Sequence, residues 1–148
     1  MRFEVFGIPK PQGSKRVFNG RVVEAAGQGL KVWRRAVCEA VHNLPEDFEF
    51  LTGPIRVEID FYLERPASVT KKKRPFPIVP PDIDKLSRST LDGIGQGLES
   101  GKVGDSLVWG DDSQVVELIA RKHYADEREP GATIEITPLF NRYINLSK

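Results

Sequence analysis

Apolar and polar residues alternate along several stretches of the chain, and this alternation predicts β-strands. The pattern is clearest over residues 55–63, where five apolar residues are separated by four more polar ones. That is the period of a strand with one buried face. Weaker patterns predict further strands over residues 1–8, 106–109, 114–122 and 133–137, with 106–109 and 114–122 joined in a hairpin by Gly110-Asp111-Asp112-Ser113.

Two segments have the period of an amphipathic helix instead. From Leu30 to Leu44, apolar side chains recur at steps of three and four residues, and Pro45 ends the pattern. A second helix is predicted from about Asp84 to Leu98, although glycines at positions 93, 95 and 97 disfavour its last turns. Its predicted buried residues are Leu86, Leu91, Ile94 and Leu98.

The remaining segments are predicted to be loops. Residues 10–28 are polar and form a loop or a short exposed hairpin around Asn19-Gly20. Residues 66–81 contain five prolines, which predicts an extended, mobile loop. Residues 140–148 have no clear pattern, and we expect them to fray or to pack on a partner subunit. The order β, α, β, α, β, β, β predicts a single α+β domain over residues 1–148, a mixed sheet with two main helices packed on it.

Composition is that of an ordinary soluble globular protein, with 39% hydrophobic and 29% charged residues. The one cysteine, Cys38, lies in an apolar helical pattern and is predicted to be a core residue. A single cysteine excludes an internal disulfide and fits a reducing compartment. The chain has no apolar run of about 18 residues, and its start lacks a signal-peptide stretch, so we expect a cytoplasmic protein without a membrane partner.

The net charge of +1 is distributed unevenly. Residues 1–35 hold eight Lys or Arg and two Glu, a net of +6, and residues 65–74 hold five more basic residues and no acid. Basic segments on an acidic body suit a protein that binds phosphates with one surface and metal with another, whereas a charge run alone is usually a solvated surface. The predicted DNA-binding residues in these segments are Lys10, Lys15, Arg16, Arg21, Lys71, Lys72, Lys73 and Arg74.

One candidate acidic group is Asp82-Ile83-Asp84, directly before the second predicted helix. In an extended chain, positions i and i+2 project to the same side, so Asp82 and Asp84 would point to one place while Ile83 turns into the core. The structural alternative is that Asp84 only caps the helix. That alternative leaves Asp82 unexplained.

A second acidic group, Asp111-Asp112, is predicted at the tip of the hairpin, where Asp is also favoured for purely structural reasons. The two groups together supply four carboxylates without an evident His or Cys ligand set, since His42 and His123 lie far apart in the sequence. Clustered oxygen ligands favour Mg²⁺ or Mn²⁺ over zinc. We therefore predict a carboxylate metal site, with Asp82, Asp84, Asp112 and Asp111 as ligands.

Asp84, Arg88 and Asp92 follow one another at steps of four residues and share one face of the predicted helix. Arg88, one turn beyond a metal-binding Asp84, could contact a phosphate held by that metal. The alternative is an exposed ladder of ion pairs, worth a few tenths of a kcal/mol, on the order of 0.3.

The residues Asp82-Ile83-Asp84-Lys85-Leu86, then Arg88 and Leu91-Asp92, and later Asp111-Asp112-Ser113-Gln114-Val115, resemble the signature of the RusA-like Holliday-junction resolvases. The early Gly7-Ile8-Pro9-Lys10-Pro11 and the Arg65-Pro66 loop also resemble family members, so the resemblance covers about residues 1–138. The spaced pair of acidic motifs is its specific part.

The resemblance implies that Asp82, Asp84 and Asp112 are metal-binding, catalytically essential aspartates and that Asp111 is the neighbouring acidic position. Arg88 stands where the family usually has a catalytically important Lys. Lys85 replaces the usual Asn and is predicted to bind DNA. Arg88 cannot release a proton as a Lys can, so it substitutes only if the family residue acts by charge. Lys122 matches a basic position on a family strand, where it would contact phosphate or be a plain surface charge.

The resemblance implies a homodimer that resolves four-way DNA junctions by paired symmetric nicks with Mg²⁺, Mn²⁺ being possible. Two alternatives keep a nucleic-acid role: a non-catalytic, structure-selective DNA-binding protein, and a metal-dependent nuclease acting on flaps or RNA. A further alternative is an interaction protein stabilised by Ca²⁺ or Mg²⁺, which the concentrated basic segments disfavour.

Overall fold

The alternating segment at 55–63 is the central strand of a mixed sheet in the computed structural model. The structure describes residues 1–13, 15–24, 27–44 and 49–139, without the side chains of 15–18 and 22–24. The predicted tail at 140–148 lies outside the described residues. The elements are β1 Arg2–Phe6, β2 Lys15–Phe18, β3 Arg21–Glu24, α1 Gly27–His42, β4 Ile55–Leu63, α2 Ile83–Gly95, β5 Val115–Tyr124 and β6 Gly131–Pro138, with a 3₁₀ turn at Asp112–Gln114.

The four-stranded sheet has the order β1-β6-β4-β5. Strand β6 pairs antiparallel with both β1 and β4, whereas β5 runs parallel to β4. Along β4 every second side chain is buried, as the alternation predicts. The predicted α+β architecture, a mixed sheet with two main helices, is therefore confirmed.

Both helices cover the face of the sheet that carries the buried side chains of β4. They also contact each other closely, because a Cβ at Gly93 of α2 would lie 2.9 Å from Val37 Cβ of α1. Cys38 is fully buried in this layer, as predicted. The shared core includes Trp33, Val37, Val41, Leu86 and Ile94 from the helices and Val57, Ile59, Phe61, Ile134 and Ile136 from the sheet.

Helix α2 ends at Gly95, before the predicted end at Leu98. After it, the chain makes a tight turn in which the N–H of Gly97 donates to the carbonyl of Lys102 at 2.9 Å. The helix stops within the glycine-rich stretch that disfavours its continuation. Leu86 and Ile94 are buried as predicted, while Leu91 and Leu98 are only half-buried.

The predicted strand at 106–109 and its hairpin with 114–122 are wrong. Strand β5 pairs with β4, and of the preceding segment only Trp109 makes an isolated bridge, to Leu51. The segment is held by other groups: the Ser106 hydroxyl donates to the carbonyl of Ile94 at 2.8 Å, and Leu51 N–H donates to the carbonyl of Val108 at 2.8 Å. These long-range partners hold 106–109 against the end of α2 and against Leu51 instead of against β5.

The short hairpin predicted around Asn19-Gly20 is present as β2 and β3. Both turn residues have positive φ, 50° and 73°, the conformation that Asn-Gly favours in two-residue hairpin loops. Residues 66–81 contain neither helix nor strand, as predicted. Among the described residues, no helix has the length and apolar character needed to cross a membrane.

Candidate active site

Asp82 and Asp84 lie at the N-terminal end of α2. Asp82 occupies the position before the first helical residue, yet its side chain makes no capping hydrogen bond. Capping therefore explains neither carboxylate. The prediction that Ile83 turns into the core is wrong, because this side chain is 37% exposed. The helix already begins at Ile83, so the alternation of an extended chain does not apply there.

Asp82, Ile83 and Asp84 line one depression of about 450 Å³ together with Lys122 of β5. Lys122 Nζ donates to the carbonyls of Val79 and Pro81, each at 3.0 Å. Its role in the structure is thus to hold the segment before α2 against the sheet, a third possibility beside phosphate contact and plain surface charge. Lys85 Nζ lies 3.8 Å from Asp82 Oδ2.

Asp111 caps the 3₁₀ turn. Its carboxylate accepts from Ser113 N–H at 2.7 Å, and the Gln114 side chain accepts from Asp111 N–H at 3.1 Å, which forms a capping box. The hydrogen bonds from Ser113 lower the pKa of Asp111. Asp111 therefore has a structural duty that orients the residue beside it.

Asp112 is half-buried and faces α2. Its carboxyl group shares a hydrogen bond with that of Asp92, and Trp109 Nε1 donates to its Oδ1 at 3.0 Å. Burial and the neighbouring Asp92 raise the pKa of Asp112 to about 7, against the opposing effect of the indole. Near neutral pH the Asp112 carboxyl group is therefore partly protonated.

Asp92 is also held from its other side by Gln12, whose Nε2 donates to Asp92 Oδ2 at 2.5 Å. The loop carrying Gln12 lies along α2, since Gln12 N–H donates to the carbonyl of Lys85 and the Ser89 hydroxyl donates to the carbonyl of Lys10. Gln12 Oε1 is buried and has no hydrogen-bond partner within the part of the chain that the structure describes. A buried amide oxygen, a potential metal ligand, thus lies beside the carboxyl pair.

The approach of Asp112 to α2 depends on Gly95. A Cβ at this position would lie 2.8 Å from Asp112 Oδ1 and 3.0 Å from Trp109 Nε1. Sequence reasoning missed Gln12, Trp109 and Gly95, and it placed Asp92 only on a helix face. The available signals were the position of Asp92 two turns beyond Asp84 and the otherwise unfavourable glycines at the end of the helix.

Arg88 lies exposed in the middle of α2, one turn from Asp84 and one turn from Asp92. Within the described part of the chain, the ion pairs include none between Arg88 and either aspartate. A guanidinium nitrogen lies 3.3 Å from where a Cβ of Gly13 would be. The ladder of ion pairs is therefore not formed, and the charge faces outward beside the acidic groups.

The predicted four-carboxylate cage is not assembled as such: in the described ranges, no three His, Cys, Asp or Glu side chains are placed to hold a metal ion. The donors that are present still fit a hard cation. Two facing carboxyl groups, with the Gln12 amide oxygen that has no hydrogen-bond partner among the described residues, form a set of oxygen ligands that a divalent ion can bind by displacing the proton of Asp112.

The two histidines lie away from these groups. His42 Nδ1 lies 2.8 Å from the carbonyl of Cys38, and His123 Nε2 lies 2.8 Å from Asp60 Oδ1. His123 lines a separate depression of about 500 Å³, which adjoins the acidic one at Phe76. Neither histidine contacts the predicted aspartates.

The predicted DNA-binding residues are placed differently from one another. Arg21, Lys71, Lys72 and Lys73 are exposed, and the side chains of Lys15 and Arg16 lie outside the described residues. Arg74 instead donates from Nε to the Tyr124 hydroxyl at 2.8 Å, so it fastens the loop to β5. Lys10 is half-buried beside Gly29.

Comparison with known proteins identifies the family of the chain. The family model of endodeoxyribonuclease RusA matches residues 7–137. The chain is also 28% identical over 139 residues to the Uncharacterized protein YqaN of Bacillus subtilis (strain 168), covering 86% of this chain and 89% of that protein. Both aspartate motifs, the loop with Gln12 and the carboxyl pair lie inside the matched range. The chain belongs to the RusA family of endodeoxyribonucleases.

Proposed function

We propose that this protein is a Mg²⁺-dependent endodeoxyribonuclease that resolves four-way DNA junctions as a homodimer, by paired symmetric nicks. Mn²⁺ is the expected substitute. The observation that carries the proposal is the half-buried Asp92–Asp112 carboxyl pair beside α2, in a chain of the RusA family. Asp82 and Asp84 are exposed at the N-terminal end of the same helix, where the Asp82 side chain makes no capping hydrogen bond.

Metal would be held at two places along α2, by Asp82 and Asp84 at its N-terminal end and by Asp112 with Asp92 about 12 Å further along the helix, with Asp111 as a supporting residue. A bound Mg²⁺ would supply positive charge for the phosphate and an activated water. Asp111 orients the turn that presents Asp112, and Trp109 fixes the direction of the Asp112 carboxylate by its hydrogen bond. Gln12 holds Asp92 from the opposite side.

Arg88 would stabilise the negative charge that develops on the phosphate. It lies one helical turn from Asp84 and carries no ion pair to the aspartates on its own face. The exposed lysines at 71–73, together with Lys10, Lys15, Arg16, Arg21 and Lys85, would hold the DNA arms by phosphate contacts.

The proposal is tested by incubating the protein with four-way junction, flap, duplex and single-stranded DNA, with and without Mg²⁺. We expect Mg²⁺-dependent cutting of the junction at symmetric positions, abolished by Asp112→Asn and unchanged by Glu99→Gln, a control at an exposed acid outside the site. Junction binding without cutting would favour the non-catalytic alternative. Preferential cutting of flaps would assign the activity to a different branched substrate.

A further inference from the structure

Strand β5 forms one edge of the sheet, because the strand order is β1-β6-β4-β5. No strand pairs with its outer side in the part of the chain that the structure describes. An open edge of 10 residues presents a long row of N–H and C=O groups to which another strand can add. The opposite edge, β1, has only 5 residues.

The middle of β5 is apolar for an exposed edge. Leu118 and Ile119 are 45% and 38% exposed, and Val116, at the bulge near the start of the strand, is 54% exposed. Monomeric proteins usually protect such an edge with charges, prolines or bulges, and the central Leu118-Ile119-Ala120 has none of these. This part of β5 therefore resembles a surface that is buried in a protein–protein interface.

The charges of β5 are arranged to complement a second copy of the same strand. If two β5 strands run antiparallel about a two-fold axis through Ile119, Glu117 lies opposite Arg121 of the partner subunit, and this happens twice. Leu118 then lies opposite Ala120 of the partner subunit, also twice. Opposite charges and apolar pairs directly across a sheet are both stabilising.

Neighbouring registers lack this complementarity. Residues directly opposite each other in an antiparallel pair point to the same face of the sheet. About a two-fold axis perpendicular to the sheet, this requires one residue to lie opposite its own copy, with the axis midway between the two. An axis through Leu118 would place Glu117 opposite the partner's Ile119. An axis through Ala120 would place Leu118 opposite the partner's Lys122. Of the three registers, only the one centred on Ile119 pairs Glu117 with the partner's Arg121 and Leu118 with the partner's Ala120, and it places Val116 opposite the partner's Lys122.

We propose that β5 pairs antiparallel with β5 of a second copy about a two-fold axis through Ile119, so that two sheets join into one of eight strands. This interface rests on the homodimer of the proposed function and not on DNA cleavage. Because the axis is perpendicular to the sheet, α2 of both copies lies on the same face. Both candidate active sites then open to one side, as a two-fold symmetric substrate requires.

A charge-exchange experiment tests the register. Glu117→Arg places arginine against the partner's Arg121, and Arg121→Glu places glutamate against the partner's Glu117. Each variant alone should dimerise at least about tenfold more weakly in sedimentation equilibrium, since like charges lie opposite each other twice. An equimolar mixture of the two variants should recover dimers, because both cross-strand pairs are then Arg with Glu. The Arg121→Glu chain lacks the intrachain contacts of Arg121 with Glu58 and Asp60 both alone and in the mixture. Recovery of dimers in the mixture therefore cannot come from restoring those contacts.

A cross-linking experiment tests the position of the axis. Ile119→Cys should form a covalent dimer under mild oxidation or with a short bis-maleimide, because the two copies of this residue face each other. Val32→Cys is the matched control, an exposed residue of α1 that is 69% exposed. The native Cys38 is fully buried and should not react.

Four outcomes would overturn the interface. If both single variants still form dimers, the dimer contact lies elsewhere, and the protein is still a homodimer. If Ile119→Cys and Val32→Cys cross-link equally, β5 is not the contact. The same conclusion follows if residues 140–148 of the same chain protect the Ile119→Cys thiol. A chain that is monomeric at all concentrations removes the homodimer as well, while junction cleavage is judged separately by the substrate panel.

Discussion

At the scale of single residues, the candidate site depends on pairs that are distant in sequence. Asp92 and Asp112 face each other across the gap between α2 and the 3₁₀ turn, and each is held by a neutral donor, Gln12 or Trp109. Neutral donors keep a carboxylate in place without neutralising it. The negative charge of the pair therefore stays available for a cation.

Asp112 makes stability depend on pH when metal is absent. The folded-state pKa is raised from 3.8 to about 7, so between these values the folded protein binds more protons than the unfolded chain, and stability falls as pH rises through this window. In EDTA above pH 7, Asp112→Asn should therefore melt higher than the parent protein, and the difference should shrink below about pH 4. Added Mg²⁺ should raise the melting temperature of the parent and not of the variant. Parallel melting curves of both proteins across pH would contradict the buried pair, and Glu99→Gln serves as the control.

Substitutions of Arg88 test whether a positive charge alone is needed at this position for cleavage. A guanidinium stays protonated at any usable pH, so it can stabilise a phosphate but cannot transfer a proton. Arg88→Ala should lose cleavage by roughly 10²-fold or more, and Arg88→Lys should recover a substantial part of it. Arg88→Gln, which has reach without charge, should not recover it. Equal single-turnover rates for the Gln and Lys variants would exclude the electrostatic role, and the phosphate contact would then be sought at Lys85.

The aspartates should differ from one another in the same cleavage assay. Asp82→Asn, Asp84→Asn and Asp112→Asn should each abolish cutting while leaving folding and junction binding largely intact, because amides keep the shape but weaken Mg²⁺ binding. Asp111→Asn should be milder, since the side chain of Asp111 is occupied in capping the turn. Near wild-type cutting by any of the first three variants would remove that residue from the site.

At the scale of elements, α2 organises both the core and the site. Its N-terminal end carries Asp82 and Asp84, its exposed face carries Arg88, and its C-terminal end approaches Asp112. The glycines near that end have separate duties: Gly93 admits α1, whereas Gly95 admits the Asp112 carboxylate. The weak helix propensity of this stretch is thus explained by close approaches from two directions.

Alanine at these two glycines should separate stability from activity. Gly93→Ala should crowd Val37 and lower stability by roughly 1 to 3 kcal/mol, with cleavage by the folded fraction retained. Gly95→Ala should displace Asp112 and Trp109 and strongly reduce cleavage even where the protein is folded. The measurements are denaturant unfolding and single-turnover cleavage at a temperature where both variants are folded. Full activity of Gly95→Ala would mean that Asp112 need not lie against α2.

At the scale of the whole molecule, charge is divided between basic segments and an acidic body. The basic residues at 71–74 differ in their surroundings. Lys72 and Lys73 are exposed, whereas Arg74 is hydrogen-bonded to Tyr124. Exposed lysines are suited to phosphate contacts, and a bonded arginine is suited to holding the loop. The run therefore combines two roles.

Replacing Lys71, Lys72 and Lys73 with Ala should weaken duplex binding and reduce its salt dependence. Each lost phosphate contact lowers the log–log salt slope by about 0.9. Lys102→Ala, at an exposed lysine outside the basic segments, should leave the slope unchanged, and Arg74→Ala should lower stability more than it changes the slope. Titrations over a range of NaCl concentrations measure both effects. An unchanged slope in the triple variant would mean that the lysines form only a solvated surface.

Local pattern was sufficient for much of the fold. The alternation over 55–63, the amphipathic period before Pro45 and the Asn19-Gly20 turn each predict the element observed, because one-sided burial and turn conformation act over a few neighbouring residues. The spaced aspartate motifs likewise indicated the family before any coordinates. The direction in which β5 pairs was not predictable in this way, since an apolar run has the same pattern whether its neighbour is parallel or antiparallel.

Local sequence pattern identified both helices, most of the strands but not the wrongly predicted one at 106–109, and the aspartates of the family signature. The packing of whole elements was needed to bring Asp112 against Asp92, to place Gln12 beside this pair and to leave Ile83 exposed. The physical reason is distance along the chain: Asp92 and Asp112 are brought together by the packing of α2 against the turn before β5, and the parallel pairing of β5 with β4 positions that turn. Such contacts depend on how whole elements pack, which no local periodicity records.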